Sequence, residues 1–410
     1  MNDSAAENPI PSGLCEQLRL GVLVIQPSPF CNIDCDYCYL PNRTSARRME
    51  FAILEKTMER VFDSGLAGGP FTLLWHAGEP LAVPVSWYEE AFSIIGRFPR
   101  AGEWVEHTFQ SNGTLIDDAW CEFIARHGVN VGLSLDGPAF IHDFHRKTRR
   151  GEGTHARALR GAERLRRHGI PFGVIAVISR FSLDYPDEIY GFFRDLGIDG
   201  VGFNIEEIEG AHAASSFDAL DDPEGRVRAF LERVYALNKR DGFPLQIREF
   251  ENARQNILAP GLNRAPNGRY YNLETEPLGM INVDCFGNFS TFSPELLGQP
   301  ADGFGDFTFG NVTRDSVFDA TEHPAFLRML ADIENGNRRC AATCAYWEHC
   351  GGASPSNKFF ENGAFDSAET RHCRCMIQMP MDIVLADLEA GLDVPARTET
   401  FPATVTQTAN

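Results

Sequence analysis

Short apolar runs alternate with amphipathic stretches through the first half of the chain. Residues 20–26 are apolar and branched, the composition of a buried strand. Residues 51–64 place Ile53, Leu54, Met58, Val61 and Phe62 at helical spacing among Glu55, Lys56, Glu59 and Arg60. That pattern predicts an amphipathic helix, ended by Gly65 and the Gly68-Gly69 pair. The unit then repeats. Strands are predicted at 71–75, 105–110, 129–135, 171–178 and 201–205, and helices at 86–96, 117–127, 155–168 and 183–196. Asp117 reads as an N-cap, with Gly128 behind the end of the same helix. Six strands alternating with helices predict an α/β fold with a parallel sheet and right-handed crossovers. Six units are too few for an eight-fold barrel. The expected form is an open, partial (β/α)6 barrel whose mouth admits a peptide.

The pattern changes after residue 214. A helix is predicted at 224–240, with Val227, Phe230, Leu231, Val234 and Leu237 on one face. A loop-rich stretch follows, with Pro260-Gly261 and Pro266-Asn267-Gly268. Residues 279–283 and 288–292 flank Asp284-Cys285-Phe286-Gly287 and read as a β-hairpin. A helix is predicted around 325–333. The expected organisation is a flexible segment 1–19, a core 20–214, a bridge 215–277, a small cysteine-rich domain 278–390 and a disordered tail 391–410.

Cysteines carry the chemistry. Cys31, Cys35 and Cys38 follow the first predicted strand in C-x3-C-x2-C spacing. Three thiolates on a short loop can hold three irons of a cubane cluster and leave the fourth iron open. A structural zinc site is the alternative, but zinc wants four closed ligands and no fourth Cys or His follows closely. Further on, Cys340, Cys344, Cys350 and Cys373 can supply four thiolates to an iron–sulfur cluster or to zinc. Cys375 competes with Cys373 as the fourth ligand. The N-terminus has no secretory signal and no apolar run reaches membrane-spanning length. A cytoplasmic location is expected, where eleven cysteines point to metal or redox chemistry before disulfides. The formal net charge of −20 disfavours nucleic acid as a partner. It would attract a basic peptide, and it fits plain solubility equally well.

The cysteine spacing, together with His76-Ala77-Gly78-Glu79-Pro80 after the second strand, resembles the radical S-adenosylmethionine (SAM) superfamily. The resemblance implies that the open iron chelates SAM. It implies that Gly78, Glu79 and Pro80 receive the SAM ammonium through backbone carbonyls and the Glu79 carboxylate, with Ala77 in place of a glycine. It places Tyr37 against the adenine, Gln110 and Asn112 at the barrel mouth, and Ser134 and Arg146 near the SAM ribose or carboxylate. Asp136 is expected to line the substrate side, the rest of the 146–150 run to be a solvated basic loop, and Asn204, Glu206 and Glu207 are further candidates.

The C-terminal part resembles the SPASM domain of peptide-modifying members, which usually has seven cysteines and two auxiliary clusters. Here Phe292 and Ser354 stand where thiols are expected. The ligands that remain, Cys340, Cys344, Cys350 and Cys373, imply one auxiliary [4Fe-4S] cluster. Cys15, Cys121 and Cys285 are left as ordinary thiols. The stretches 23–27, 75–80, 202–207 and 357–363 resemble GrrM-type maturases, with the related Xye and FxsB types. That likeness implies a ribosomally made, glycine-rich precursor peptide with aromatic residues, a reducing electron donor, and a C–C crosslink closing a three-residue cyclophane. Glu295, just past the hairpin, is the candidate proton acceptor. Thioether formation, oxidation of a sulfatase Ser or Cys, and a non-catalytic metal-binding scaffold are the alternatives.

Overall fold

The computed structural model describes residues 18–198, 200–261, 264, 270 and 272–392. Cys15, nearly all of the 1–19 segment and most of the 391–410 tail lie outside the described residues. Among the described residues twelve strands occur in chain order: β1 Val22–Ile25, β2 Ile33–Cys35, β3 Phe71–Trp75, β4 Val105–Ser111, β5 Asn130–Ser134, β6 Arg146–Thr148, β7 Gly173–Ile178, β8 Gly200–Ile205, β9 Gln246–Ile247, β10 Met280–Val283, β11 Asn288–Thr291 and β12 Gly310–Asn311.

Ten of them form one sheet in the order β12-β11-β10-β1-β3-β4-β5-β7-β8-β9. Its centre is the expected run of six parallel strands, each beside the next. Short β9 adds a parallel strand at one edge. At the other edge β10 pairs in parallel with β1, and the predicted hairpin folds back through antiparallel β11 and β12. The sheet is therefore continuous across residue 278.

Each strand puts alternate side chains on opposite faces. Leu23 and Ile25 of β1, Leu73 and Trp75 of β3 and Phe109 of β4 face the helices and join the main core. Trp75, Tyr88 and Phe109 are all under 2% exposed there, with Tyr88 edge-on to both other rings at 5.2 and 4.9 Å. Such geometry contributes about 0.5–1.5 kcal/mol per pair beyond burial. Val22, Val24 and Met280 face the other way and, with Leu74 and Leu273, form a small second cluster inside the partial barrel.

Helices end where local chemistry predicts. The Asp117 side chain accepts from Trp120 N at 2.9 Å, and Gly128 closes the helix Asp118–His127 at φ 62°. The N-terminal helix runs Phe51–Asp63 and the bridge helix Pro223–Arg240.

Three expectations need correction, and one helix adds to them. The stretch after residue 240 is not only loop: it contains the helix Arg248–Leu258, anchored under β8 by Phe203 N donating to Glu249 Oε2 at 3.0 Å. The helix expected at 325–333 runs Pro324–Thr343 and carries Cys340. A further helix, Met379–Leu392, packs against Arg248–Leu258. Finally, β2 and β6 pair as an antiparallel ribbon, so neither the cysteine segment nor the 146–150 run is simply loop.

Candidate functional site

Strand β1 delivers the chain to the cysteine segment, and three long-range contacts fix that segment. The ribbon pairs Cys35 with Arg146. His145 spans Asp36 at 2.7 Å and Ser179 at 2.8 Å. Asn112 Nδ2 donates to Asn32 Oδ1 at 2.9 Å and lies 3.8 Å from Cys31 Sγ. Arg146 Nη1 lies 3.9 Å from Cys35 Sγ. Cys31, Cys35 and Cys38 are all free thiols and lie within electrostatic reach of one another. Burial pushes Cys31 and Cys35 up to about 12, with Glu79 adding to the rise at Cys31 and Arg146 opposing it at Cys35. Such thiols stay protonated until a bound cation reverses the local electrostatics. Three thiols with N–H donors aimed at two of the sulfurs are the donor set an iron–sulfur cluster takes.

The His76-Ala77-Gly78-Glu79-Pro80 turn packs directly on this segment. Glu79 N donates to Phe30 O at 2.8 Å. Gly78 sits at φ 112°, and a Cβ there would lie 2.4 Å from Ser28 O. Ala77 is also left-handed, at φ 64°. Adjacent substitutions should therefore have opposite signs. Ala77→Gly relieves strain and raises stability by about 0.5–1 kcal/mol. Gly78→Ala forces the backbone apart and costs more than about 2 kcal/mol. Denaturant midpoints of the two variants check both.

Several residues named from the sequence have partners within the protein. The Glu79 carboxylate is 1% exposed and accepts from Leu81 N, Ser111 Oγ and Asn112 N at 2.8–2.9 Å. Burial still holds it up at about 7 despite those bonds. Its role here is to brace β4 against the turn. Asp136 is fully buried, not on a substrate face. It takes Arg146 Nε and Nη2 at 2.8 and 3.0 Å, Val177 N at 2.9 Å, and the Tyr37 hydroxyl. Arg146, 7% exposed, thus spends its fork on Asp136 and stacks 5.3 Å from the Tyr37 ring. Glu206 is tied to His212 and Ser216, and Asn204 to Arg248.

Others do face the lumen, opposite the core-facing side chains. Gln110 Nε2 donates to Ser134 Oγ at 3.1 Å. Its amide lies across β5 because Gly132 leaves room, a Cβ there falling 2.2 Å from Gln110 Oε1. His76 Nδ1, Thr108 Oγ1 and Asn282 Oδ1 are buried without a protein partner. Sequence reasoning missed these three. Their only signal is an even-numbered position in a strand or directly after one.

A second set of groups lies between the two groups of cysteines. Asn357 Nδ2 donates to Glu207 at 2.8 Å and to Glu209 at 3.4 Å, and His372 lies 3.4 Å from Glu207. Burial, then Glu207 and Glu295, holds Glu209 well above the usual carboxylate range. Burial, then Glu274, pushes Glu295 up to about 8. Glu295 and Cys38 both act on the Tyr39 hydroxyl, which sits 3.2 Å from His76. The carboxylates thus reach from the residue after Cys38 to the residue before Cys373. Glu209, Glu274, Asn357 and His372 were not legible as partners, because four separate segments supply them.

Among the C-terminal thiols, Cys350 interacts with Cys340 and Cys344, and Cys373 with Cys350 and Cys340. Cys375 instead neighbours Glu224, Arg374 and Arg371. Cys121 and Cys285 are buried in the core. Phe292 is fully buried and stacks on Phe326 at 5.9 Å.

A Radical SAM superfamily model matches residues 25–193. An uncharacterized protein of Synechocystis sp. is 43% identical over 376 residues, 90% of this chain and 92% of its own. The cysteine-type anaerobic sulfatase-maturating enzyme of Clostridium perfringens is 28% identical over 340 residues, 78% of this chain and 86% of that enzyme. Two solved structures share the fold. Native anSMEcpe with bound AdoMet and Cp18Cys peptide has TM-score 0.71 at 19% identity, covering 91% of this chain and 98% of that one. Streptococcus suis SuiB bound to precursor peptide SuiA has TM-score 0.62 at 16% identity, covering 88% and 76%. With its cysteine triad and turn inside the matched region, the chain belongs to the radical SAM superfamily, enzymes that hold SAM at a [4Fe-4S] cluster.

Proposed function

We propose that this enzyme modifies a ribosomally made precursor peptide in the cytoplasm, closing a three-residue cyclophane between an aromatic ring carbon and a side-chain β-carbon. The observation that carries the reading is the buried carboxylate group around Glu295, which reaches Tyr39 beside Cys38 and, through Glu207, His372 beside Cys373. Crosslinking at an aromatic ring releases a proton and an electron. A carboxylate with a raised pKa accepts the proton, and a second cluster accepts the electron.

Cys31, Cys35 and Cys38 would hold the first cluster, and Cys340, Cys344, Cys350 and Cys373 one auxiliary cluster. When bound, the first cluster and SAM supply a hydrogen-abstracting radical. The chain does the rest. Asn112 and Arg146 orient the sulfurs, the Gln110–Ser134 pair and the lumen-facing atoms of His76, Thr108 and Asn282 meet the ligands, and Glu295 takes the proton. The core 20–214, bridge 215–277 and cluster domain 278–390 follow this division of labour. Among the described residues no helix is long and apolar enough to cross a membrane.

Oxidation of a sulfatase Ser or Cys is the second reading, favoured by the match to the Clostridium enzyme. Tandem mass spectrometry after anaerobic co-expression separates the two. A glycine-rich, aromatic peptide that loses two hydrogens per ring, with the linked segment resisting fragmentation, supports the cyclophane. A hydrazide-reactive aldehyde on a sulfatase peptide supports the other. Unmodified glycine-rich peptide beside active SAM cleavage overturns the first.

Glu295→Gln should leave SAM cleavage intact and lower product formation by roughly 10²–10⁴-fold. Wild-type product formation should rise as pH passes about 8, where Glu295 loses its proton, and the variant should lack that rise. Linkage gives a second readout. Folding raises this carboxyl from 4.5 to about 8, so the folded state holds a proton that the unfolded state has released. Its contribution to stability is full below pH 4.5 and is lost as pH rises through about 8. Urea titrations of Glu295→Gln should show a flatter pH dependence over that window.

A further inference from the structure

We propose that the outer face of the β2–β6 ribbon is the docking surface for an acidic one-electron carrier protein that reduces the first cluster. The chain carries a formal charge of −20, yet this face is positive. Arg149, Arg150 and Arg180 are exposed and Lys147 is half-buried. Among the described residues, none of the four is paired with a carboxylate. Four exposed acids of the adjoining segments are already engaged: Asp34 by Arg43, Asp36 by His145, Glu152 by Arg157 and Asp184 by Arg226.

An apolar centre adjoins the charges. Phe140 and Phe144 are each 48% exposed, among the largest exposed apolar side chains of the protein. Phe144 stacks on Phe181 at 4.5 Å, Phe140 meets Tyr185 at 5.0 Å, and Lys147 Nζ lies 5.6 Å from the Phe144 ring. Exposed aromatics beside unpaired cations form the usual anatomy of a transient protein interface.

Position decides the partner. Exposed Arg149 donates to Cys31 O at 3.1 Å. Phe144 abuts His145, whose ring holds Asp36 beside Cys35. One layer of backbone therefore separates this face from the thiols. An acidic peptide would also match the charge, but it has no use for proximity to the cluster ligands on their outer side. A carrier does: it gives up one electron, the cluster gains one, and no atom moves.

The inference rests on the triad holding a cluster, not on the cyclophane. The test uses anaerobic holoenzyme, reduced flavodoxin as the acidic carrier, and the variant Lys147→Glu/Arg150→Glu/Arg180→Glu. Flavodoxin binding to wild type should weaken with salt, and the variant should bind roughly tenfold or more weakly. SAM cleavage driven by sub-saturating flavodoxin should fall in parallel, while cleavage driven by dithionite stays unchanged. Equal flavodoxin binding and equal flavodoxin-driven rates overturn the proposal. So does loss of precursor-peptide binding with flavodoxin binding intact, which would assign the face to an acidic peptide. If the triple variant also loses the dithionite rate, Arg180→Glu alone decides. Weaker flavodoxin binding with a normal dithionite rate supports the surface, and unchanged binding rejects it.

Discussion

Cys35→Ala protein, purified and reconstituted without oxygen, should lack the reducible cluster of the N-terminal triad and cleave no SAM above background. The loss should be total rather than graded. Cys35 is buried within the β2–β6 ribbon, its sulfur beside Arg146 and in reach of Cys31 and Cys38. Among the described residues, no thiol besides Cys31 and Cys38 interacts with it. Two companions make the result specific. Cys373→Ala should lose about half of the total iron yet still cleave SAM, since it removes the fourth ligand of the second set only. Cys375→Ala should keep full iron, because that thiol sits among Glu224, Arg374 and Arg371, away from the other cysteines. Iron analysis and low-temperature paramagnetic resonance read all three. A Cys35→Ala protein that still cleaves SAM would remove the basis for every assignment at the barrel mouth.

Arg146→Met is expected to be the most destabilising single change near the site. Asp136 would be left fully buried with its charge uncompensated. Breaking such a pair from one side costs about 3–5 kcal/mol. Denaturant titration of ligand-free protein measures this apart from any effect on cofactors. The double variant Arg146→Met/Asp136→Leu should recover much of the loss, because removing both charges removes the desolvation cost as well. The pair also sets a pH dependence. Burial alone would push Asp136 up, but the Arg146 guanidinium, with smaller help from His142 and the Tyr37 hydroxyl, offsets it and holds the carboxyl below its usual range. Its stabilisation is therefore complete above about pH 4, the unfolded value, and is lost as pH falls through the depressed folded value. Acid unfolding of Asp136→Asn should be correspondingly less steep.

Much of the architecture could be read from residue pattern. The six-strand run, the Asp117 cap and the hairpin depend on periodicity and turn chemistry within a few residues of one another. The cysteine spacing is equally local. What escaped was long-range. Nothing within a window around Glu79 tells that its carboxylate turns inward to Ser111 and Asn112, and nothing around Arg146 tells that it chooses Asp136 over a ligand. Polar side chains near a barrel mouth look alike until their partners are known.

The helix Arg248–Leu258 was missed for another reason. Its N-cap position is Ile247, with no side-chain cap, and buried Glu249 interrupts its apolar face because it accepts a hydrogen bond from β8. The helix Pro324–Thr343 was read short because its second half, from Glu334 to Thr343, has few apolar positions, with only Gly336 and Cys340 of that half buried. In both cases the tertiary setting overrode a weak local signal.

The hairpin at the sheet edge shows how the fold can hold its shape whatever side chains that edge carries. Strand β10 is held to β1 by main-chain bonds, which do not depend on what either strand carries as side chains. Positions such as Cys285 and Phe292 are thereby released to serve as ordinary packing. Chemistry at this edge is replaceable, while its masonry is not: without β10, strand β1 would present an open, wholly apolar border just ahead of the cysteine triad.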